Sequence, residues 1–403
     1  MEHIEIYQTK PNIKWMRTLT DPHFLRWILL FSYNSIKPLT FIEEKRQKEQ
    51  FKFTLFALEE IKKLLKNMNI EEKCGINCTG ALRLKYPGSL KPKTKKNSYS
   101  AEPIKNVYPD GLTGDSLSSI EQSILNWPRA VESAEFETES CAGNCEQFTK
   151  ILANISKEQV GVTFLMHTDV KAFDIDWNES NDSDKKTKAI KTIYTSKGEI
   201  EVDSNTEVII AAGSWTPKLL WLCGYFTPIY PMKGYSVAID LPPEGSDNRP
   251  EESVIPSRML IDQKLYISRL GNQIRITSMG EFCGWDTKPD YTIDRTFREA
   301  GKIRVPGLKP LFDASPTRCG LRPYSADGII ILGRIEDTTN LSVNVGPGFN
   351  GWKISIGAAN VLATILTDGN AEKFDFDFKT FYPSKRIVPA PIWAYLSRIR
   401  WST

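Results

Sequence analysis

The sequence predicts an α/β domain joined to a second domain built on a mostly antiparallel sheet, each assembled from discontinuous stretches of chain. Three observations predict this. Helical, strand and hairpin patterns are interleaved along the 403 residues rather than segregated into blocks. Residues 206–212 (TEVIIAA) form a short, continuous apolar run of the kind that suits a parallel strand buried on both faces. A chain of 403 residues also supplies roughly two to three domains' worth of core.

Composition narrows the function classes. The 52 basic and 49 acidic residues nearly cancel to a net charge of +3, which gives no reason to expect a nucleic-acid or other polyanionic partner. No window reaches the roughly 18 uninterrupted apolar residues of a membrane span. The first twenty residues carry Glu2, Glu5 and Lys10 with no apolar core of a secretory signal, so an intracellular site, cytoplasm or organelle matrix, is expected. The odd count of seven cysteines in a large chain points to a reducing compartment rather than a disulfide scaffold. Cys74/Cys78 and Cys141/Cys145 each have C-x-x-x-C spacing. Zinc sites usually combine tighter C-x-x-C knuckles with histidines, and only His3, His23 and His167 are present, so no metal is expected. The same scarcity favours a mechanism that needs no histidine.

The elements follow in order. Residues 22–32 (PHFLRWILLFS) read as a short apolar helix. Residues 41–67 read as a longer amphipathic one, with Phe51, Leu55, Leu58, Ile61 and Leu65 inward and Glu59, Lys62, Lys63 and Lys66 outward. The segments 91–100, 177–188 and 242–252 are charged, polar or turn-rich and read as surface insertions. Residues 161–173 alternate as a strand, 217–222 read as a helix, and 265–268 with 273–277 read as a hairpin closed at Gly271-Asn272. Strand 341–345 and helix 352–366 complete the pattern before the tail at 391–403 (PIWAYLSRIRWST).

Three motifs carry chemistry. Gly346-Pro347-Gly348-Phe349-Asn350-Gly351 matches the dinucleotide fingerprint literally, after a strand and before a helix, with Glu372 about twenty positions on. Only about 35 residues follow that helix, too few for a doubly wound sheet of five or six strands. What survives is local. Glycines admit a ligand close to the backbone, and the helix N-terminus offers free N–H groups to something anionic or electron-rich. The second motif is residues 208–215 (VIIAAGSW), which reads either as a cofactor-facing strand end or as a tight strand-to-helix turn with Trp215 in the core. The third is Gly320-Leu321-Arg322-Pro323-Tyr324-Ser325-Ala326-Asp327-Gly328. Its arginine, fixed between glycine and proline, is placed to hold a carboxylate through two parallel hydrogen bonds, or to make a structural ion pair. Asp327-Gly328 signals a turn.

In this order, with residues 230–236 (YPMKGYS), 275–281 (RITSMGE) and 143–152 (GNCEQFTKIL), the motifs resemble the FAD-dependent amine and D-amino-acid oxidoreductases, most of all bacterial-type D-amino-acid dehydrogenases. The similarity runs from about residue 13 to about residue 368. It implies an FAD-binding α/β domain (1–72, 141–222 and 315–370), an α+β substrate domain with a mostly antiparallel sheet (73–140 and 223–314), and a C-terminal tail (371–403). It implies FAD as cofactor, an amino-acid substrate, and quinone or oxygen as electron acceptor. By position, Arg322 would clamp the substrate carboxylate, with Tyr235, Tyr266 and Tyr324 as pocket walls. Ala212, Gly213, Trp215, Gly320 and Trp352 would line the flavin, Val170 would lie by its adenosine half, and Gly346, Gly348 and Gly351 would set the last helix's N-terminus at its pyrimidine edge. Hydride transfer asks for orientation more than for acid or base, so no catalytic side chain is assigned.

The chain departs from the family in two places. Pro347 stands where the family usually has histidine. The family's opening strand and G-x-G-x-x-G loop, with roughly the first 70–80 residues, have no counterpart here, so the first βαβ unit of the α/β domain is expected to be lacking. Cys319 lies one residue from where some relatives attach flavin covalently, and otherwise reads as a buried structural thiol. Three functions follow: a D-amino-acid oxidoreductase, a glycine- or sarcosine-type amine oxidase, and a non-enzymatic paralogue. The aromatic, arginine-bearing tail reads as a docked helix or as a peripheral membrane contact.

Overall fold

The computed structural model describes residues 18–390, apart from 19, 37–40, 87–111, 128–130, 180–185, 263–264, 369–372 and 385. The basic stretch 91–100 and the tail 391–403 lie outside the described residues. In chain order the principal elements are α1 (Pro22–Ile36), α2 (Phe41–Asn67), β1 (Ala81–Lys85), β2 (Leu112–Thr113), α3 (Gly114–Ile120), β3 (Ser133–Glu137), α4 (Cys145–Gln159), β4 (Val170–Glu179), β5 (Lys186–Thr195), β6 (Gly198–Glu201) and β7 (Val208–Ile210). Then come α5 (Thr216–Leu222), β8 (Tyr225–Phe226), β9 (Ile229–Asp240), β10 (Met259–Asp262), β11 (Leu265–Leu270), β12 (Gln273–Glu281), α6 (Tyr291–Arg304), α7 (Lys309–Ala314), β13 (Thr317–Ser325), β14 (Ile331–Arg334), β15 (Leu341–Val345), α8 (Gly351–Asp368) and β16 (Val388–Pro389).

The large sheet has the order β13-β9-β12-β11-β10-β1-β3-β2 and is antiparallel except where β1 runs parallel to β10. Strand alternation divides its two faces. Tyr235, Val237, Ile239, Ile267, Ile274 and Ile276 point to one side and form a core with Phe297 and Ala300 of α6 and Phe312 of α7. The side chains between them face the other way, toward the functional site. Asp290 caps α6 by accepting hydrogen bonds from the N–H groups of Thr292 and Ile293, which fixes where that helix starts.

A small sheet, β14-β15-β7, lies on the far side of that site. β7 runs parallel to β15 as its apolar composition predicts, but it is an edge strand. Its Ile209 is 46% exposed, so the expectation of a strand buried on both faces does not hold. Helices α2 and α8 cross closely: a Cβ at Gly357 would come closer than 3.0 Å to Cα and Cβ of Ala57. The inward stripe of α2 is accordingly Phe53, Ala57, Ile61 and Leu65, while Leu55, expected inward, is 47% exposed. A small residue is needed at the crossing, and it sets the rotation of the helix.

Three further expectations are corrected. The strand foreseen over 161–173 begins only at Val170, since 161–169 finds no neighbouring strand to bond among the described residues. The polar stretch 177–188, foreseen as a loop, contributes residues to both β4 and β5. A disulfide joins Cys78 to Cys141, one cysteine from each C-x-x-x-C pair, because Asn77 and Ala142 pair as an antiparallel bridge and set the two side chains opposite each other. No helix among the described residues is long and apolar enough to cross a membrane.

Candidate functional site

The site lies between the open face of the large sheet and the carboxyl ends of β7 and β15. Strand β13 builds its floor. It pairs residue for residue with β9 from Thr317↔Val237 to Ser325↔Ile229, which sets Gly320 opposite Gly234 and Arg322 opposite Met232. The Arg322 guanidinium folds back over Gly234. A Cβ there would lie closer than 3.0 Å to its Nη1, Cζ and Nη2, so only glycine leaves room for it. Burial holds the guanidinium below its usual pKa range, partly offset by the nearby Tyr266. Its Cζ stands 5.5 Å from the centre of the Phe349 ring, within cation–π range.

The glycine loop after β15 forms the opposite wall. Gly346 and Gly348 have φ of +85° and +56°, which non-glycine residues rarely adopt. They turn the chain sharply enough for α8 to start at Gly351 with its N-terminus toward the site. Tyr324 packs edge-on against Phe349 at 5.5 Å and is bridged to Pro347. Its carbonyl accepts a hydrogen bond from Trp27 Nε1 at 3.0 Å. Burial raises the Tyr324 hydroxyl above its usual range. The turn after β7 closes the third side. Gly213 has φ +54°, Ser214 Oγ donates to the Leu321 carbonyl at 3.1 Å, and Trp285 Nε1 donates to the Ser214 carbonyl at 2.7 Å. Together these bonds tie the strand-to-helix turn directly to the strand that carries Arg322.

The position of β13 is secured from behind. Asp327 accepts from Arg46 of α2 at 2.8 Å and from Arg386 at 2.7 Å. Burial alone would raise the Asp327 carboxyl, but Arg386 and Arg46 outweigh it and hold it below the usual range. Read from sequence as part of a turn, Asp327 thus joins three distant segments at the end of the arginine's strand.

The expected residues divide clearly. Gly213 and Gly351 line one cavity of about 250 Å³, with Ala211, Pro323, Asn344, Pro347 and Ser355. Arg322 lies beside Phe349 and near Tyr266, and Tyr324 packs against Gly348; Tyr266, Trp215 and Phe349 are 44%, 46% and 65% exposed. A Cβ at Gly213 or Gly320 would meet nothing within 4 Å. A planar group with an electron-rich edge fits this surround: open glycines on two sides and the N-terminus of an 18-residue helix on the third.

Other residues lie elsewhere. Tyr235 is not a pocket wall. It points into the core beneath the sheet, where its hydroxyl donates to Glu281 at 2.9 Å and accepts from the Asp290 N–H at 3.1 Å. Its neighbour Gly234 takes the open face, so strand alternation forbids Tyr235 the same side. Glu281 is also held by the fully buried Lys233 at 3.0 Å. Cys319, opposite Tyr235, packs against that same core. Burial pushes its thiol up to about 11, which suits a structural thiol better than a point of flavin attachment. Trp352 turns away from the cavity and meets Phe148 edge-on at 4.7 Å. Val170 starts β4 in the separate three-stranded sheet, paired with Thr195.

Sequence reasoning missed Gly234 as the seat of the guanidinium, Phe349 as its aromatic neighbour and Ser214 as the tie to β13. Gly234 and Phe349 stand inside quoted motifs, but nothing local distinguishes their roles.

Known proteins resemble this chain in sequence and in fold. A D-amino acid dehydrogenase of Granulibacter bethesdensis is 34% identical over 227 residues, 56% of this chain and 49% of that protein. One of Rhizobium rhizogenes is 26% identical over 364 residues, 89% of this chain and 79% of the relative. This chain therefore spans about half the length of the Granulibacter protein and of a second relative from Agrobacterium fabrum. Among solved structures, glycine oxidase from Geobacillus kaustophilus superposes with a TM-score of 0.59 at 17% identity, covering 82% of each chain. L-proline dehydrogenase from P. horikoshii superposes with a TM-score of 0.60 at 20% identity, covering 80% of this chain and 79% of that one. The family model for FAD dependent oxidoreductases (DAO) matches residues 27–365, and with the fold and the glycine-lined cavity already described, the chain belongs to that family.

Proposed function

We propose that this site oxidises a D-amino acid to the imino acid, which water hydrolyses to the 2-oxo acid and ammonia. The observation that carries the proposal is the Arg322 guanidinium, seated over Gly234 on the strand whose next residue, Pro323, lines a cavity together with the first turn of α8. Bound FAD supplies the acceptor for the two electrons and the α-hydrogen. Arg322 holds the substrate carboxylate through parallel hydrogen bonds, with Tyr266 and Tyr324 as pocket walls, Phe349 beside the guanidinium and Trp215 toward the cofactor. The N-terminus of α8 favours negative charge on the cofactor's pyrimidine edge. Ala212, Gly213, Gly320 and Gly351 would line the cofactor, Gly346 and Gly348 would hold the turn that sets the last helix's N-terminus at its pyrimidine edge, and Val170 would meet its adenosine half.

The name of the 34%-identical relative, D-amino acid dehydrogenase, favours D-amino acids. The glycine oxidase fold keeps a glycine- or sarcosine-type amine as the second reading. Electrons would then pass to a quinone or to oxygen. The deciding experiment is the visible spectrum of the full chain supplied with FAD, before and after D-alanine or sarcosine. Bleaching by D-alanine supports the proposal. Bleaching by sarcosine alone selects the second reading, and a chain that takes up no flavin refutes both.

A further inference from the structure

The face of the large sheet that carries Arg322 holds more positive charge than one carboxylate requires. Register places Arg318, Ser236, Thr277 and Tyr266 in one row across β13, β9, β12 and β11. Directly opposed residues share a face, so Arg318 stands on the same face as Tyr266. Arg318 and Arg322 are four apart on β13 and therefore also share that face. The Arg322 guanidinium lies over Gly234, two residues along β9 from Ser236, which is the partner of Arg318. Two residues of strand are roughly 7 Å, so the Arg318 side chain is based within one substrate length of the Arg322 guanidinium. In the next row, Arg275 pairs with Ser268 and Ala238 and adds a third cation farther out.

The acidic groups facing these two arginines do not neutralise them. Among the described residues, neither Arg318 nor Arg275 makes an ion pair within 4.0 Å. Arg275 donates only to the neutral Gln273 Oε1, at 3.3 Å. Asp240, opposite Gln273 on the same face, accepts from the Gln273 amide at 2.7 Å, and Glu146 stands at the start of α4. Its carboxylate is held below the usual range first by the hydrogen bond from Lys150, and only at longer range by Arg275 and Arg318. Lys150 binds it at 2.7 Å, so its charge is already matched. Two arginines on the sheet face that carries Arg322, with no acid bound to either, form a field for an anionic group carried by the ligand.

We propose that the site selects substrates with a second carboxylate, the acidic-side-chain amino acids of the aspartate and glutamate class. Arg322 takes the α-carboxylate, Arg318 takes the side-chain carboxylate, and Arg275 strengthens the field. The inference rests on Arg322 being the α-carboxylate anchor. A backbone-length chain of five carbons sets its two carboxylates roughly 5 Å apart, which the reach of Arg318 bridges.

The test compares two inert ligands of equal carbon number, pentanoate with one carboxylate and glutarate with two. Binding to the full chain supplied with FAD is measured by calorimetry at 0.15 M salt, where exposed charges more than about 8 Å apart are screened. Glutarate is expected to bind at least tenfold tighter than pentanoate. Arg318→Gln should bring that ratio to within about threefold, and Arg275→Gln should reduce it less, with melting temperatures confirming that both variants fold. Equal binding of the two ligands by the unaltered chain, or a ratio that survives Arg318→Gln, overturns the inference but leaves the Arg322 anchor standing. If neither ligand binds, the anchor itself is wrong and the inference falls with it.

Discussion

A methyl group added at Gly234 tests the geometry of the site more sharply than removal of Arg322. In the native chain the Arg322 guanidinium occupies the volume where that Cβ would be, closer than 3.0 Å to Nη1, Cζ and Nη2 together. Ordinary carbon contacts begin near 3.5 Å, so in Gly234→Ala the guanidinium must retreat by on the order of 1 Å. The obstructed atoms are the far end of a flexible side chain, and Gly234 lies in a regular strand with no positive φ. Folding should therefore be nearly unaffected, since glycine inside a strand already costs roughly 0.5–1 kcal/mol relative to alanine. Substrate binding should suffer. Hydrogen bonds to charged groups are worth about 1.5–3 kcal/mol each, and misplacing a positioning group by about 1 Å can cost about 100-fold. Amino-acid oxidation followed by dye reduction should thus fall about 100-fold in kcat/KM with the melting temperature unchanged. A stable Gly234→Ala protein of native kcat/KM would refute the placement of Arg322 as the substrate clamp.

Three further substitutions test what holds the site in place. Asp327→Asn breaks a buried pairing with Arg386 and Arg46, and loss of one partner from such a pairing typically costs about 3–5 kcal/mol in denaturant unfolding. Because the folded pKa of Asp327 is depressed, its contribution is present above the unfolded value near pH 4 and is lost as the pH falls through the folded value. Native stability should drop below about pH 4 more steeply than that of Asp327→Asn, and parallel pH profiles would count against the pairing. The Cys78–Cys141 disulfide spans 63 residues, so the chain-entropy model allows about 4 kcal/mol of stabilisation. Five cysteines are free. Thiol titration of the denatured, unreduced chain should find these five, and dithiothreitol should lower the melting temperature; seven thiols before reduction would contradict the pairing. Gly357→Ala drives a methyl group into Ala57 of α2, and overpacking of this kind costs about 1–3 kcal/mol. An unchanged unfolding midpoint would show that the helices have slack at the crossing.

The family and the main elements were legible in the sequence because they rest on short-range patterns. Helix 41–67, the hairpin at Gly271-Asn272 and the strand-to-helix step around Gly346–Gly351 declare themselves through periodicity and turn chemistry within a few residues. The glycine loop, the Gly213 turn and the Gly320–Gly328 motif carry the resemblance for the same reason. Tertiary structure decided what depends on register between distant strands. It turned Tyr235 and Cys319 into the core and left Gly234 beneath Arg322, a choice fixed by the pairing of β9 with β13 some 80 residues away. It paired Cys78 with Cys141 across an isolated bridge, where spacing suggested two separate motifs. It rotated α2 so that Ala57 met Gly357, turned Trp352 toward Phe148, and left Ile209 and residues 161–169 outside any covered strand. A local pattern states that a face will be buried; only the partner that arrives from elsewhere in the chain decides which face it is.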